Sequence, residues 1–182
     1  MRVVGHLRAV KDPLLAARAG RLVRADSRLV IEHLGDSLDA ALAAEARRES
    51  ESGGRWRWLG PCSRLETLRA IASAHLLVLP SRSEGGPGAL AEALMASTPI
   101  LATRTDGALG MLGADHPGLF EPGDATGLAR LLEQAEFDPR FLTGLTIAGA
   151  TRRPLFERAR EVAAWRELLA RLELEPRAGR RS

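Results

Sequence analysis

Short apolar runs alternate along this chain with segments of helical spacing, and this alternation restricts the possible folds more than any other feature. The run at 75–79 (HLLVL) is typical of a strand that is covered on both faces. Further strands are predicted at 2–5, 29–34, 56–60 and 100–103. Strands that alternate with helices through short connections form a parallel sheet. The sequence therefore predicts an α/β fold, a Rossmann-like parallel sheet wrapped by helices.

Helical segments follow the strands at regular intervals. The first is predicted to open with Asp12 as its N-cap and Pro13 in its first turn. Later helices are predicted at 38–49, 65–72, 87–96, 124–136 and 154–172. The chain has 182 residues, and at about 150 residues per domain we predict one domain over 1–173. Residues 174–182 lack periodicity and are predicted to form a basic, disordered tail.

Composition excludes several classes of protein. The net charge is +3 and the basic excess falls within 151–182, while aromatic residues make up only 4%. A nucleic-acid-binding protein usually interleaves a basic stripe with aromatic side chains. Cys62 is the only cysteine, which excludes an intramolecular disulfide and a multi-thiolate metal site. The sequence also lacks a long apolar segment and a signal-peptide pattern. We therefore expect a cytoplasmic protein with no membrane span, no metal and no nucleic-acid partner.

A glycine-rich turn leads from the most apolar strand into a helix at 81–92 (SRSEGGPGALAE). Parallel sheets bind ligands at the carboxyl ends of their strands. A turn of this kind presents free N–H groups and the positive end of the helix dipole to a phosphate. Because Pro87 has no N–H, Gly88 and Ala89 are expected to supply the donors. The turn predicts a phosphate-binding site.

Two carboxylates, Glu84 and Glu92, flank this turn eight residues apart. Carboxylates repel phosphate, so we expect both to accept hydrogen bonds from sugar hydroxyl groups. A phosphate site between two such acids is the arrangement expected for a nucleotide diphosphate sugar. From spacing alone, the alternative is that both are ordinary acids at a surface and at the start of a helix.

The loop after the first strand, 5–11 (GHLRAVK), carries cationic side chains to the same edge of the sheet. Lys11 is the only lysine of the chain. Arg8 has a planar guanidinium group that suits phosphate oxygens. The alternative is that both are solvated loop charges, and that His6 is a structural histidine.

The order of these blocks resembles the retaining GT-B glycosyltransferases of the GT4 type. Glu84 and Glu92 match that family's E-x7-E motif, and the residues from Val4 to Lys11 resemble its phosphate loop. The stretches 79–85, 92–96, 98–103 and 118–124 follow in the family's order. The resemblance covers about residues 2–136. It implies the C-terminal, donor-binding half of a GT-B fold.

Roles follow from the resemblance for each matching position. It implies that Glu84 binds the donor sugar's hydroxyls together with Gly85 and Gly86, and that Glu92 binds the ribose. Lys11 corresponds to the family's diphosphate-neutralising lysine, with Gly88 and Ala89 as amide donors.

The phosphate loop departs from the family at one position. His6, next to Gly5, stands where the family usually has arginine, and we expect Arg8 to replace that cation. The resemblance implies no cofactor besides the UDP-sugar donor, and no catalytic side chain is assigned.

A narrower resemblance is carried by 3–13 (VVGHLRAVKDP), 82–86 (RSEGG) and 109–113 (LGMLG). These stretches look like those of the selenosugar synthases of selenoneine biosynthesis. That resemblance implies selenophosphate as the acceptor and a carbon–selenium bond in the product. The acceptor is expected in an N-terminal domain, normally in the same chain, so this chain alone is expected to be inactive.

Two other functions stay open. One is a non-catalytic nucleotide-binding or assembly module, and the other is a conventional GT4-type sugar transferase with a different acceptor.

Overall fold

The computed structural model describes residues 1–174, and its centre is a sheet of six parallel strands. They are β1 (Arg2–Val4), β2 (Ile31–Leu34), β3 (Trp56–Gly60), β4 (Leu77–Leu79), β5 (Ile100–Thr103) and β6 (Leu119–Phe120). Their order in space is β3-β2-β1-β4-β5-β6. The prediction of a Rossmann-like parallel sheet is confirmed, and β6 is added to the strands that the sequence indicated.

Helices connect the strands within the described residues. They are α1 (Leu15–Leu22), α2 (Ala40–Glu51), α3 (Arg64–Ala72), α4 (Gly88–Ala96), α5 (Asp106–Leu112), α6 (Ala125–Phe137), α7 (Pro139–Arg152) and α8 (Arg158–Leu174), with 3₁₀ turns at Ala9–Lys11 and Arg153–Phe156. Side chains set several of the starts. Ser63 and Glu66 form a reciprocal capping box at α3, and the carboxylate of Asp124 accepts a hydrogen bond from the Gly127 amide at α6, as predicted.

The predicted start of α1 is wrong. Asp12 is not its N-cap, because Leu14 precedes the helix and makes no side-chain cap. Asp12 instead ends the first 3₁₀ turn in the left-handed conformation, with φ +40°. Its carboxylate contacts two arginine side chains instead of the amides of α1.

The predicted helix 154–172 is also divided in the structure. Pro154 lies in a 3₁₀ turn and α8 begins only at Arg158, after Glu157 has adopted extended backbone. The apolar spacing continues across this break and therefore could not reveal it. Helix α7 was not predicted, although Asp138 followed by Pro139 is a start signal that could have found it.

The core lies on both faces of the sheet, because successive residues of a buried strand point to opposite sides. Leu76, Val78 and Leu101 belong to the cluster packed under α1 and α6, while Leu77 and Leu79 belong to the cluster under α4. None of the helices within residues 1–174 combines the length and apolar composition that a membrane crossing requires. Of the predicted tail, Leu174 ends α8 and residues 175–182 lie outside the described residues.

The order of the strands determines where a ligand can enter. The chain passes from β1 outward to β2 and β3, then returns to place β4 on the other side of β1. The connections after β1 and β4 therefore diverge, which opens a crevice at the carboxyl ends of these two strands. Both predicted loops, 5–11 and 81–88, lie at this crevice.

Candidate functional site

The loops after β1 and β4 bring together two of the predicted site residues. The Lys11 ammonium group and the Glu84 carboxylate form an ion pair, although 73 positions separate them in sequence. The Lys11 side chain is 30% exposed and that of Glu84 is 13% exposed. An incoming ligand can therefore reach both groups at the crevice.

Glu84 is held from two directions. The Ser81 hydroxyl donates a hydrogen bond of 2.7 Å to its carboxylate, and the Gly107 amide donates one of 2.9 Å to its backbone carbonyl. A Cβ at Gly107 would lie only 2.5 Å from that carbonyl oxygen. The start of α5 can thus approach the Glu84 loop only because residue 107 is glycine. Ser81 and Gly107 were not predicted as site residues, and the spacing Ser81-x-x-Glu84 is the one local signal for the first of them.

The start of α4 presents unused donors to the crevice. Pro87 precedes the helix without a side-chain cap, so the first amides of α4 receive no local partner. Within the described residues, the amides of Gly88 and Ala89 donate no hydrogen bond. Gly85 and Gly86 are exposed and face open space. The turn therefore presents free amide donors, and phosphate binding there stays a prediction.

Glu92 lies on α4 and lines a pocket of about 280 Å³ between the ends of β1, β2 and β3. Arg64, the first residue of α3, lines the same pocket and places its guanidinium 3.2 Å from the Glu92 carboxylate. The Arg64 side chain is 80% exposed and can leave this carboxylate at little cost. Arg64 was not predicted; its place directly after the Ser63 cap was the available signal.

The remaining residues of the first loop have different surroundings. The Asp36 amide donates a hydrogen bond of 3.1 Å to His6 Nδ1, which joins the ends of β1 and β2. Arg8 is exposed, and its side chain forms no ion pair with any described residue. The structure thus brings Lys11, but not Arg8, into contact with Glu84.

Gly5 and Gly35 line this pocket, and their backbones are in close contact. A Cβ at Gly35 would lie 2.0 Å from the Gly5 carbonyl oxygen, so only glycine permits this approach. His33 Nε2 lies 2.8 Å from the same oxygen, and Trp58 Nε1 donates a hydrogen bond of 2.7 Å to the Gly35 carbonyl. Burial lowers the pKa of the His33 imidazole to about 4. His33 is therefore neutral near pH 7 and supports the loop structurally.

Comparisons with known proteins agree with this fold. Residues 2–136 match the family described as "Glycosyl transferases group 1". TuaC of Bacillus subtilis (strain 168), whose name assigns it to teichuronic acid biosynthesis as a glycosyltransferase, is 30% identical over 132 residues, which are 70% of this chain and 34% of TuaC. The chain therefore spans about a third of this curated relative.

Solved structures give the same result at lower identity. Anabaena Alr3699/HepE, crystallised in complex with UDP-glucose, superimposes with a TM-score of 0.78 at 21% identity, over 92% of this chain and 48% of that one. The catalytic domain of cholesterol-α-glucosyltransferase from Helicobacter pylori gives 0.64 at 18% identity, over 83% and 95%. These likenesses establish the fold. The family match over residues 2–136 shows that this chain belongs to the glycosyl transferases of group 1.

Proposed function

We propose that this chain is the donor-binding half of a glycosyltransferase and that it holds a UDP-sugar in the crevice between β1 and β4. The observation that supports this most directly is the contact between Lys11 and Glu84 beside the uncapped start of α4. A cation, free amides and a carboxylate in one place suit a diphosphate joined to a sugar. The likeness to a protein crystallised with UDP-glucose agrees with this ligand.

Each residue then has a distinct task. Lys11 and the amides of Gly88 and Ala89 neutralise the diphosphate, and Arg8 supplies a second cation when it turns inward. Glu84, with Gly85 and Gly86, accepts the sugar's hydroxyls. Glu92 accepts the ribose hydroxyls from the pocket that it lines, above the loop of Gly5 and His6.

Ligand binding requires an exchange of partners. In the structure Lys11 is paired with Glu84, and Arg64 with Glu92. The diphosphate takes Lys11 from Glu84, while the sugar and ribose hydroxyls replace the cations at the two carboxylates. During transfer, Lys11 and the α4 dipole stabilise the negative charge on the leaving UDP, so the proposed reaction uses no cofactor.

Calorimetry with UDP-glucose, UDP and uridine tests this assignment. Glu84→Ala is expected to weaken UDP-glucose binding more than UDP binding, and Glu92→Ala to weaken both, each by about 1.5–3 kcal/mol for a lost charge-assisted hydrogen bond. Lys11→Ala is expected to weaken UDP far more than uridine. Glu167→Ala is the matched control, because Glu167 is also ion-paired but lies on exposed α8. If the three site variants bind like this control, the proposal is wrong.

The acceptor that we propose is selenophosphate, on the resemblance of 3–13, 82–86 and 109–113 to the selenosugar synthases. Its selenium forms the new bond to the anomeric carbon while the carbon–oxygen bond to UDP breaks, and UDP leaves with the electron pair. The attacking atom of selenophosphate is selenium and not the oxygen of an alcohol, so this reaction needs cations at the acceptor more than a general base.

UDP release by a two-domain enzyme, with this chain joined to an acceptor half, distinguishes the acceptors. Selenophosphate is expected to release UDP from UDP-glucose, and simple alcohols are not. Faster release with an alcohol or lipid acceptor would indicate a conventional sugar transferase instead.

A further inference from the structure

A buried carboxylate beside the site has no part in the function proposed above. Asp12 directly follows Lys11, and its side chain is only 7% exposed. Arg18 of α1 donates a hydrogen bond of 2.8 Å to Oδ1. Arg82 Nη2 lies 3.0 Å from Oδ2 but without hydrogen-bond geometry, so this second contact is an ion pair alone. A buried carboxylate between two guanidinium groups needs both of them to offset its loss of hydration.

The backbone of Asp12 is held in an unusual conformation. Its φ of +40° lies in the left-handed region, which costs free energy in residues other than glycine and which Asp and Asn tolerate best. Such a conformation persists only where surrounding contacts hold it. Because Asp12 adjoins Lys11, the contacts that fix Asp12 also fix the direction in which Lys11 leaves the backbone.

Arg82 extends the same arrangement to the second loop. It lies two residues before Glu84, and its amide donates a hydrogen bond of 2.8 Å to the Val10 carbonyl. The loops after β1 and β4 are therefore joined by three contacts: Lys11 with Glu84, Asp12 with Arg82, and the Arg82 amide with Val10. Only the first of these uses groups that the donor would take.

We infer that Asp12 is a positioning residue: with Arg82 it keeps the two loops together when the donor separates Lys11 from Glu84. This inference rests on the proposed function. The ligand-binding groups stand on different strands, and the ion pair that joins them in the free protein is lost on binding. The contact between Asp12 and Arg82 stays, so the diphosphate and the sugar meet groups that are already at the right distance.

The test measures binding of UDP-glucose, UDP and uridine to the full chain by calorimetry. Asp12→Asn removes the charge but keeps the size and the tolerance of positive φ. It is expected to weaken UDP-glucose about tenfold, as for a lost interaction with a charged group, and to leave uridine unchanged. Arg82→Gln is expected to lose the same UDP-glucose affinity, and the double variant is expected to bind UDP-glucose no more weakly than either single variant. Asp26→Asn is the matched control, since Asp26 pairs with Arg24 on an exposed surface.

A conservative variant separates positioning from simple folding. Arg82 contacts Asp12 by charge and not by a hydrogen bond, so lysine can replace it. Arg82→Lys is therefore expected to bind UDP-glucose within about threefold of the parent. Arg82→Gln is expected to lose about tenfold, which corresponds to about 1.4 kcal/mol. Equal losses for uridine and UDP-glucose, additive losses in the double variant, or unchanged affinity in Asp12→Asn would each overturn the inference.

Amide hydrogen exchange of the free protein gives a second measurement that needs no ligand. Asp12→Asn is expected to speed exchange of the Arg82 amide at least tenfold, while the amides of β4 keep their protection. If the parent binds neither UDP nor UDP-glucose, the proposed function fails, and the exchange result alone decides whether Asp12 joins the loops. If the exchange rate of the Arg82 amide is unchanged in Asp12→Asn, Asp12 does not hold the two loops together, whatever the binding data show.

Discussion

At the scale of single residues, the two carboxylates of the candidate site are paired with cations. Lys11 is paired with Glu84 and Arg64 with Glu92, so both carboxylates that we assign to the ligand already have a partner of opposite charge. This arrangement avoids the cost of partly buried, unpaired charges. It also means that the donor competes with these two pairs for Lys11, Glu84 and Glu92.

A glycine next to Glu84 provides a prediction at this scale. Gly107→Ala would place a Cβ 2.5 Å from the Glu84 carbonyl oxygen, and such overpacking costs about 1–3 kcal/mol of stability. The loop must then move away from α5, so UDP-glucose affinity is expected to fall while uridine affinity stays unchanged. Thermal unfolding and calorimetry check both effects.

Gly110→Ala is the control for that variant. Gly110 lies on the same short helix, and a Cβ there meets no atom within 4 Å. Alanine is expected to leave binding unchanged and to add up to about 1 kcal/mol of stability, because glycine is a poor helix former. If Gly107→Ala and Gly110→Ala change stability and UDP-glucose affinity equally, the contact with Glu84 is not the cause of these changes.

At the scale of elements, the site depends on how the ends of neighbouring strands are tied together. His33 on β2 bonds the carbonyl of Gly5 after β1, and Trp58 on β3 bonds that of Gly35 after β2. These side chains come from strand interiors, whereas the site residues come from loops. The loops are thus supported by the buried His33 and the partly buried Trp58, to which we assign no contact with the ligand.

His33 makes this support sensitive to pH. Its pKa is lowered to about 4 in the folded protein by burial, from 6.5. Below pH 6.5 the His33 imidazole is protonated in the unfolded chain but stays neutral in the folded chain. Its contribution to the free energy of unfolding is therefore fully present above pH 6.5 and is lost as the pH falls toward 4. We expect the free energy of unfolding to drop by about 1 kcal/mol between pH 7.5 and 5.5 from this residue.

Urea unfolding of the parent and of His33→Gln at both pH values measures this contribution. Glutamine keeps an amide near the Nε2 position but does not titrate, so the variant is expected to lose less stability on acidification. His116, whose pKa burial also lowers to about 4, is present in both proteins and cancels in the comparison. An identical pH dependence in parent and variant would contradict the assignment.

At the scale of the whole molecule, one helix stands apart from the sheet. Every side chain of α8 from Arg158 to Leu172 is exposed, including Trp165 and Leu169. The core that surrounds the site is formed without it, from strands β1 to β6 and the helices packed on their two faces. We propose that residues 1–173 behave as one domain, whose folding depends on this core.

The prediction at this scale concerns activity. The chain spans about half of Alr3699/HepE and a third of TuaC, and the positioning of an acceptor at the sugar carbon is worth several kcal/mol of the barrier. We expect the 182-residue chain to unfold cooperatively and to bind UDP-glucose, but to transfer no sugar until a matching acceptor half is supplied. Unfolding curves and UDP release with and without that half check this, and robust transfer by the chain alone would refute it.

Much of the fold and part of the site follow from local patterns in the sequence. Alternating apolar runs determine the parallel sheet, because such strands bury both faces and need helices between them. The turn from Ser81 to Glu92 can be recognised from the sequence, since its glycines, its proline and its two acids are close in the chain. Lys11 could be singled out as a cation after the first strand for the same reason.

Only the tertiary structure decided which of these groups meet. Lys11 reaches Glu84 and Arg64 reaches Glu92 because β1, β3 and β4 end at one edge of the sheet, and sequence spacing carries no information about such distances. Asp12 shows the limit most clearly. Read locally it is a helix cap, but in the folded chain its carboxylate is drawn to Arg18 and Arg82, and that non-local attraction outweighs the local preference.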